Sequence, residues 1–375
     1  MEAALSDVVV IDLSRVLAGP YCTMTLGDLG ATVLKIEQPG KGDDTRQFGP
    51  PYLGGESAYY LGVNRNKQSL TLDFTTPEGK TRLLGLLENA TVLVENFRPG
   101  TLKAHGLDYE SLHPTYPSLI YCSISGYGQT GPCADLPGYD FVAQAESGLM
   151  AVTGEVEGEQ VRVGTPVGDL SAGMFATTAI LAALHYRTRT GKGQYIDLSL
   201  LETTMTLLSN VSSNYLITGK EPARYGNGHP NIVPYQTFPT SDGCVVVACA
   251  NDRHYRGLCR LLEREDLATD ARFANNGLRL EHRAVLVSEL EKAFNQRTTA
   301  EWLSKLRAAS IPSGPINSVS QAFNAPQIRE RGLVWECEHP TAGTIKMVGS
   351  PMRFSETPTR LYKAPPLLGE HDELF

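Results

Sequence analysis

Metal and disulfide patterns are missing from this sequence. Its seven cysteines (Cys22, Cys122, Cys133, Cys244, Cys249, Cys259 and Cys337) are odd in number and scattered over 375 residues. No C-x-x-C pair occurs and no Cys/His spacing matches a zinc site, so small buried thiols in a reducing compartment are expected and no metal is. A surplus of positive charge is missing too. Thirty-three Lys and Arg stand against 41 Asp and Glu, net −8, which excludes the basic face of a nucleic-acid binder but leaves room for a local basic pocket for an anionic small molecule. No run reaches the ~18 apolar residues that a membrane span needs; the best candidate, from about Leu170 to Tyr186, is interrupted by Ser, Gly and Thr. The opening MEAALSDVVVIDL lacks the basic start and cleavage site of a signal peptide. Cytoplasm is the expected compartment, with the mitochondrial matrix open if a presequence has been removed.

Three signatures of nucleotide and ester chemistry are absent as well. There is no G-x-x-x-x-G-K-[ST] and no G-x-S-x-G. Gly19, Gly27 and Gly30 do not make G-x-G-x-x-G, and Pro20 stands where a dinucleotide-binding helix would present free N–H groups, so Glu37 is not read as a ribose acid.

What is there is an alternation of strands and helices. Val8–Leu13 (VVVIDL) is a continuous β-branched run, as expected of a buried parallel strand. A Gly/Pro loop, a helix from about Tyr21 to Leu29 and a second strand at Thr32–Glu37 complete a βαβ opening. The pattern continues with a helix at Glu78–Glu88, a strand at Val92–Glu95, a helical stretch at Tyr109–His113 and a strand at Leu119–Ile124. A long helix after Asp169 and a strand at Tyr195–Leu200 follow. This predicts an α/β fold with a parallel sheet and helices on both faces. The texture changes near residue 220. Gly219–Pro239 reads as a linker, Cys244–Ala248 as a short strand, and Arg253–Leu262, Arg283–Gln296 and Thr299–Ala309 as helices of a smaller α+β domain; strand character returns at Ile345–Phe354.

The stretch richest in chemistry is Val167-Gly168-Asp169-Leu170-Ser171-Ala172-Gly173. Read locally, Asp169 is an N-cap. The same position suits a reactive carboxylate: a helix N-terminus keeps it ionised, small neighbours leave room for a bulky substrate, and a carboxylate nucleophile splits an acyl transfer into easier steps through a mixed anhydride.

Over nearly its whole length the sequence resembles the class III CoA-transferases, the family of formyl-CoA and carnitine CoA-transferases. The motifs that carry this run in order: Arg15-Val16-Leu17-Ala18-Gly19-Pro20, Gly27-Asp28-Leu29-Gly30-Ala31, Asn64-Arg65-Asn66-Lys67, Glu95-Asn96-Phe97-Arg98-Pro99-Gly100, Gly126-Tyr127-Gly128-Gln129-Thr130-Gly131-Pro132, Gly138-Tyr139-Asp140 and Gly168-Asp169. The resemblance implies a nucleophilic aspartate at Asp169 and CoA contacts at Val16, Leu17, Ala18, Leu72, Asn96 and Phe97. It also implies a Rossmann-like large domain made from both chain ends (1–220 and 331–375), a small domain over 221–330, and an interlocked homodimer. No permanently bound cofactor is expected; the partners are an acyl-CoA thioester and a carboxylic acid.

Departures shape the expectation. Formyl-CoA transferases tend to carry Gln where this chain has Leu17, and a run of glycines where it has Ala248-Cys249-Ala250-Asn251-Asp252. Basic residues that hold CoA in some members fall on Pro137 and Ala104, which moves phosphate binding to Lys103 or Arg98. The α-methylacyl-CoA racemases of the same fold use a His where this chain has Tyr139. A phenol of pKa near 10 is a poor base at neutral pH, so the transferase is preferred over the racemase; a non-catalytic CoA-ester binder stays as a further alternative. Within the family, Gly42–Arg46 (GDDTR), Glu56–Leu61 (ESAYYL), Ile232–Phe238 (IVPYQTF) and Pro365–His371 (PPLLGEH) resemble the succinyl-CoA-dependent dicarboxylate branch, acting on hydroxymethylglutarate or glutarate. Arg46 is the first candidate for a substrate's distal carboxylate, with His229 second and Tyr139 beside them. The competing role for Arg46 is an ion pair with Asp43 or Asp44.

Overall fold

A computed structural model describes residues 3–375. The chain divides into two compact units. The larger comprises Met1–Met150, Arg162–Ser209 and Pro326–Phe375, and the smaller Ala151–Val161 and Asn210–Ala325.

The larger unit is built on six parallel strands: β1 (Val9–Asp12), β2 (Thr32–Glu37), β3 (Lys67–Thr71), β4 (Val92–Glu95), β5 (Ile120–Ser125) and β6 (Tyr195–Ser199). Their order across the sheet is 3-2-1-4-5-6. The winding therefore reverses between β1 and β4, and in open α/β sheets ligands bind outside the carboxyl ends of the strands at such a point. Both faces of the central strands are covered, which is why β1 (VVID) and β4 (VLVE) read as apolar runs closed by one acid. Val10, Val33, Val92, Val94 and Cys122 pack on one face with the helix Ala18–Asp28 and with Ala172, Ala176 and Ile180 of the helix Val167–Thr190. Ile11, Leu34, Leu93 and Tyr121 pack on the other with Leu83 and Leu87 of the helix Pro77–Leu87.

Two elements correct the reading of the sequence. The edge strand β3 escaped notice because KQSLT has no apolar alternation; its Lys67 is fully buried and paired with Asp12 at 3.0 Å. The helix Val167–Thr190, whose core was expected to be too broken to span a membrane, is long and apolar enough by composition alone. Its small residues instead let it lie close against the first helix: a Cβ on Gly173 would stand 2.7 Å from the Ala18 carbonyl oxygen.

The smaller unit has a three-stranded antiparallel sheet, with Gly243–Ala248 between Tyr235–Thr240 and Ser313–Pro315. The helices Asp252–Leu261, Arg283–Phe294 and Thr299–Ala308 cover it around a core of Phe238, Leu258, Leu290, Phe294 and Trp302. The stretch read as a linker ends in the first of these strands. Its alternate side chains Phe238 and Thr240 are buried, a two-residue period that Pro239 obscured.

Candidate active site

The loop after β1 is held by a buried polar network that the apolar pattern did not foretell. Asp12, at the end of β1, accepts from the Ser14 N–H (3.0 Å) and from the Thr23 hydroxyl (2.6 Å). Lys35 of β2 donates to the Ser14 carbonyl (3.0 Å) and pairs with Asp43 (2.8 Å). Burial works to raise the Asp43 carboxyl, but Lys35 and the Thr45 hydrogen bonds hold it down at about 2. Asp43 in turn accepts from the Val16 N–H at 3.2 Å. Val16 has φ +68°, a left-handed conformation that costs a β-branched residue on the order of 1–3 kcal/mol. Asn96 fixes the neighbouring peptide from the other side: it accepts from the Arg15 N–H (2.8 Å) and donates to the Arg15 carbonyl (2.7 Å).

The loops after β1, β4 and β5 enclose a cavity at the switch point, and Asp169 opens into it. Its walls include Val16, Ala18, Asn96, Phe97, Arg98 and Tyr139. Arg15 and Phe97 are shared with a second cavity that contains Leu72. Each holds about 220 Å³, less than the ~300 Å³ a drug-sized ligand usually takes. Because the two adjoin at Arg15 and Phe97, a larger ligand has room to lie across both.

Asp169 is the third residue of its helix, not the N-cap; Pro166 occupies that position and makes no side-chain cap. The cap comes from Asp140, which accepts from the Gly168 N–H (2.7 Å) and the Asp169 N–H (3.4 Å) through one oxygen and from Gln144 (2.7 Å) through the other. The close approach requires glycine. A Cβ at Gly168 would stand 2.6 Å from the Thr204 hydroxyl and 3.0 Å from the Asp140 carboxylate. Gly126 and Gly138 pack backbone to backbone, a Cβ on Gly138 lying 2.3 Å from the Gly126 Cα, which fixes the entry to Tyr139 and Asp140.

The electrostatics reverse the expectation for the nucleophile. Burial, and then the Asp140 charge, push the Asp169 carboxyl up to about 7. The helix terminus does not hold it ionised, because the terminus is already spent on Asp140. The same charges reach Tyr59, whose phenol is pushed up to about 12 by burial, Asp169, Asp140 and Asp43 in that order. Tyr59 packs edge-on against Phe48 with centroids 5.8 Å apart. The sequence offered no signal for it beyond its place in ESAYYL.

The remaining expected residues divide. Leu17 is buried and turns into the core, contributing its carbonyl to the Tyr21 N–H at 2.7 Å. Lys103 lies with Arg98 on a separate cleft beside Glu95. Arg46 is withdrawn from the site: its side chain is 9 % exposed and its guanidinium forks onto Glu37 (both contacts 2.8 Å). It also meets Glu56 at 3.3 Å and the Tyr60 hydroxyl at 2.6 Å, and the Tyr60 ring lies 3.7 Å below. Its acidic partners are thus Glu37 and Glu56, not Asp43 or Asp44, because Asp43 is committed to Lys35 and Asp44 to Arg15 and Lys41. His229 belongs to the smaller unit, where its Nδ1 accepts from the Asn231 N–H at 3.0 Å and its ring faces Tyr235. No group of His, Cys, Asp and Glu among the described residues has the arrangement of a metal site.

A doubly wound sheet with a half-buried carboxyl, Asp169, on a cavity at its switch point has the frame that a carboxylate-dependent acyl transfer requires. Residues 5–372 match the sequence profile of CoA-transferase family III, and the chain belongs to that family. Among curated relatives, the succinyl-CoA:glutarate CoA-transferase of Homo sapiens is 45% identical over 98% of this chain and 84% of its own. The acetyl-CoA:oxalate CoA-transferase of Acetobacter aceti is 42% identical over 94% and 90%. Among solved structures, a CAIB/BAIF family protein from Brucella suis superposes with a TM-score of 0.87 at 42% identity, covering 100% of this chain and 98% of that one.

Proposed function

We propose that this CoA-transferase moves CoA from succinyl-CoA to a small dicarboxylic acid such as glutarate, hydroxymethylglutarate or itaconate, with Asp169 as nucleophile. The observation that carries the reading is the placing of the Asp169 carboxyl, half-buried on the wall of the switch-point cavity, where burial and then Asp140 raise it to about 7. A carboxylate of that basicity is a stronger nucleophile than an ordinary one and is still substantially ionised at neutral pH. The dicarboxylate preference is supported by relatives named for glutarate and, at 40% identity in Haloarcula hispanica, for mesaconate.

In this reading the Asp169 carboxylate attacks the thioester carbonyl, the C–S bond breaks, and CoA thiolate leaves an aspartyl–succinyl anhydride. The thiolate attacks the Asp169 carbonyl, giving an aspartyl-CoA thioester and succinate. The acceptor carboxylate then displaces thiolate to form a second anhydride. Thiolate finally takes the acceptor's acyl group and restores Asp169. Each intermediate is hydrolysable, so the cavity must exclude water. With Arg46 committed elsewhere, the cations on the Asp169 cavity that can meet phosphate or a distal carboxylate are Arg98 and Arg15, the latter by exchanging its exposed ion pair with Asp44 (3.1 Å). A homodimer is supported by the apolar residues Met174, Phe175 and Leu181, which Val167–Thr190 leaves exposed; that its protomers interlock rests on the family resemblance alone.

The test is a panel of carboxylic acids, oxalate included, incubated with succinyl-CoA or acetyl-CoA and followed by mass for new acyl-CoA species. Dicarboxylates are expected to accept CoA from succinyl-CoA, and Asp169→Ala to abolish exchange. Exchange that survives in Asp169→Ala, or a panel in which no acid accepts CoA, removes the proposal.

A further inference from the structure

Glu95 ends β4 and is 5 % exposed, yet its partners are not cations. One carboxylate oxygen accepts a short hydrogen bond from the Ser123 hydroxyl of β5, which itself receives the Tyr195 phenol of β6 at 3.2 Å. The other oxygen accepts from the Phe97 N–H at 2.8 Å. Three strands are thus tied through side chains to one amide of the loop that carries Asn96, Phe97 and Arg98. That loop does two things at the switch point. Phe97 walls both cavities, and Asn96 grips the Arg15 peptide through both of its amide atoms. Arg15 precedes Val16, whose left-handed backbone needs outside support. The chain of contacts therefore runs from β6 through Ser123, Glu95 and Asn96 to the strained loop that faces Asp169. Burying a carboxyl without a cation is costly; burial pushes Glu95 up to about 7 against the Ser123 and Phe97 bonds. An apolar residue would fill this place at less cost if packing were all that was required.

We propose that Glu95 is a positioning residue for thioester binding, acting as a two-pronged hydrogen-bond acceptor that sets the Asn96–Arg98 loop and, through it, the Arg15–Ala18 loop. This rests on the reading of the shared cavities as the thioester site. Glutamine can reproduce the arrangement, its oxygen accepting from Phe97 and its amide donating to Ser123 once that hydroxyl turns. Alanine cannot.

Steady-state exchange with succinyl-CoA should show the KM for the thioester raised about tenfold in Glu95→Ala, the loss expected for a charge-assisted hydrogen bond, with kcat changed less than about threefold. Glu95→Gln should stay within about twofold of the parent. An unchanged KM in the alanine variant overturns the proposal, as does a glutamine variant as impaired as alanine. If Glu95→Ala does not fold, Ser123→Ala removes the donor to the first oxygen and should raise KM about threefold; no rise overturns the proposal. Amide hydrogen exchange reads the same link without turnover: residues 15–18 and 96–98 should exchange faster in the alanine or Ser123 variant, and unchanged rates in both loops overturn it. If the parent moves no CoA from succinyl-CoA, the proposed function fails, while the exchange rates still decide the role of Glu95.

Discussion

Replacing Asp169 by asparagine should abolish transfer and, above neutral pH, make the protein more stable. The carboxyl is raised from 3.8 to about 7 in the folded chain, roughly three units at 1.36 kcal/mol each, so the ceiling on the cost of ionising it is about 4 kcal/mol. The group opens into a cavity and is partly screened, which brings the expected gain to about 1–3 kcal/mol. Its folded pKa lies above its unfolded one, so the favourable contribution of the neutral acid is fully present below pH ~4 and is lost as pH rises through about 7. Thermal unfolding of parent and Asp169→Asn, followed from pH 4 to 8.5, should therefore start together and diverge with pH, the variant ending a few degrees higher. Exchange of CoA should fall at least ~10³-fold in the variant. A difference in Tm that does not grow with pH, or a variant less stable at pH 8, would refute the claim that Asp169 is a strained acid.

Three further outcomes follow from the same geometry. Asp140→Asn keeps an oxygen for the Gly168 N–H but removes the charge beside Asp169; the acidic limb of kcat/KM, expected near pH 7 in the parent, should move to lower pH, and a limb that stays put contradicts the Asp140 contribution. Gly168→Ala forces a methyl to 2.6 Å from the Thr204 hydroxyl; denaturant titration should show a loss of about 1–3 kcal/mol, partly restored by adding Thr204→Ala. Arg46→Lys breaks the fork onto Glu37 and should cost about 2 kcal/mol of stability while leaving the KM for the acceptor acid unchanged; a selective rise in that KM at full stability would return Arg46 to the substrate.

What could be read from the sequence and what could not is a matter of range. Strands β1, β2, β4 and β5 were legible because a sheet covered on both faces demands apolar runs, and Val92–Glu95 was bounded to the residue. Strand β3 was illegible because KQSLT has no apolar pattern, and its buried Lys67 is accounted for only by Asp12, 55 positions away. The site divides in the same way. Asp169, Val16, Asn96 and Tyr139 are candidates by resemblance, and the structure gathers them on one cavity. What local rules made of two of the candidates was reversed by distant partners. A helix-cap rule looks only at the residues beside the helix, and here the cap is Asp140, 29 positions upstream. That substitution of one aspartate for another changes the chemistry. An Asp169 that capped its own helix would be a stabilised, weakly basic carboxylate, whereas one excluded from the cap and placed beside the capping charge is driven toward protonation. Arg46 shows the converse. Its neighbours in sequence, Asp43 and Asp44, offered the obvious ion pair, but Lys35 claims Asp43 and leaves Arg46 to Glu37. In each case a charge's partner across the fold, and not its neighbour along the chain, decides whether it serves structure or reaction.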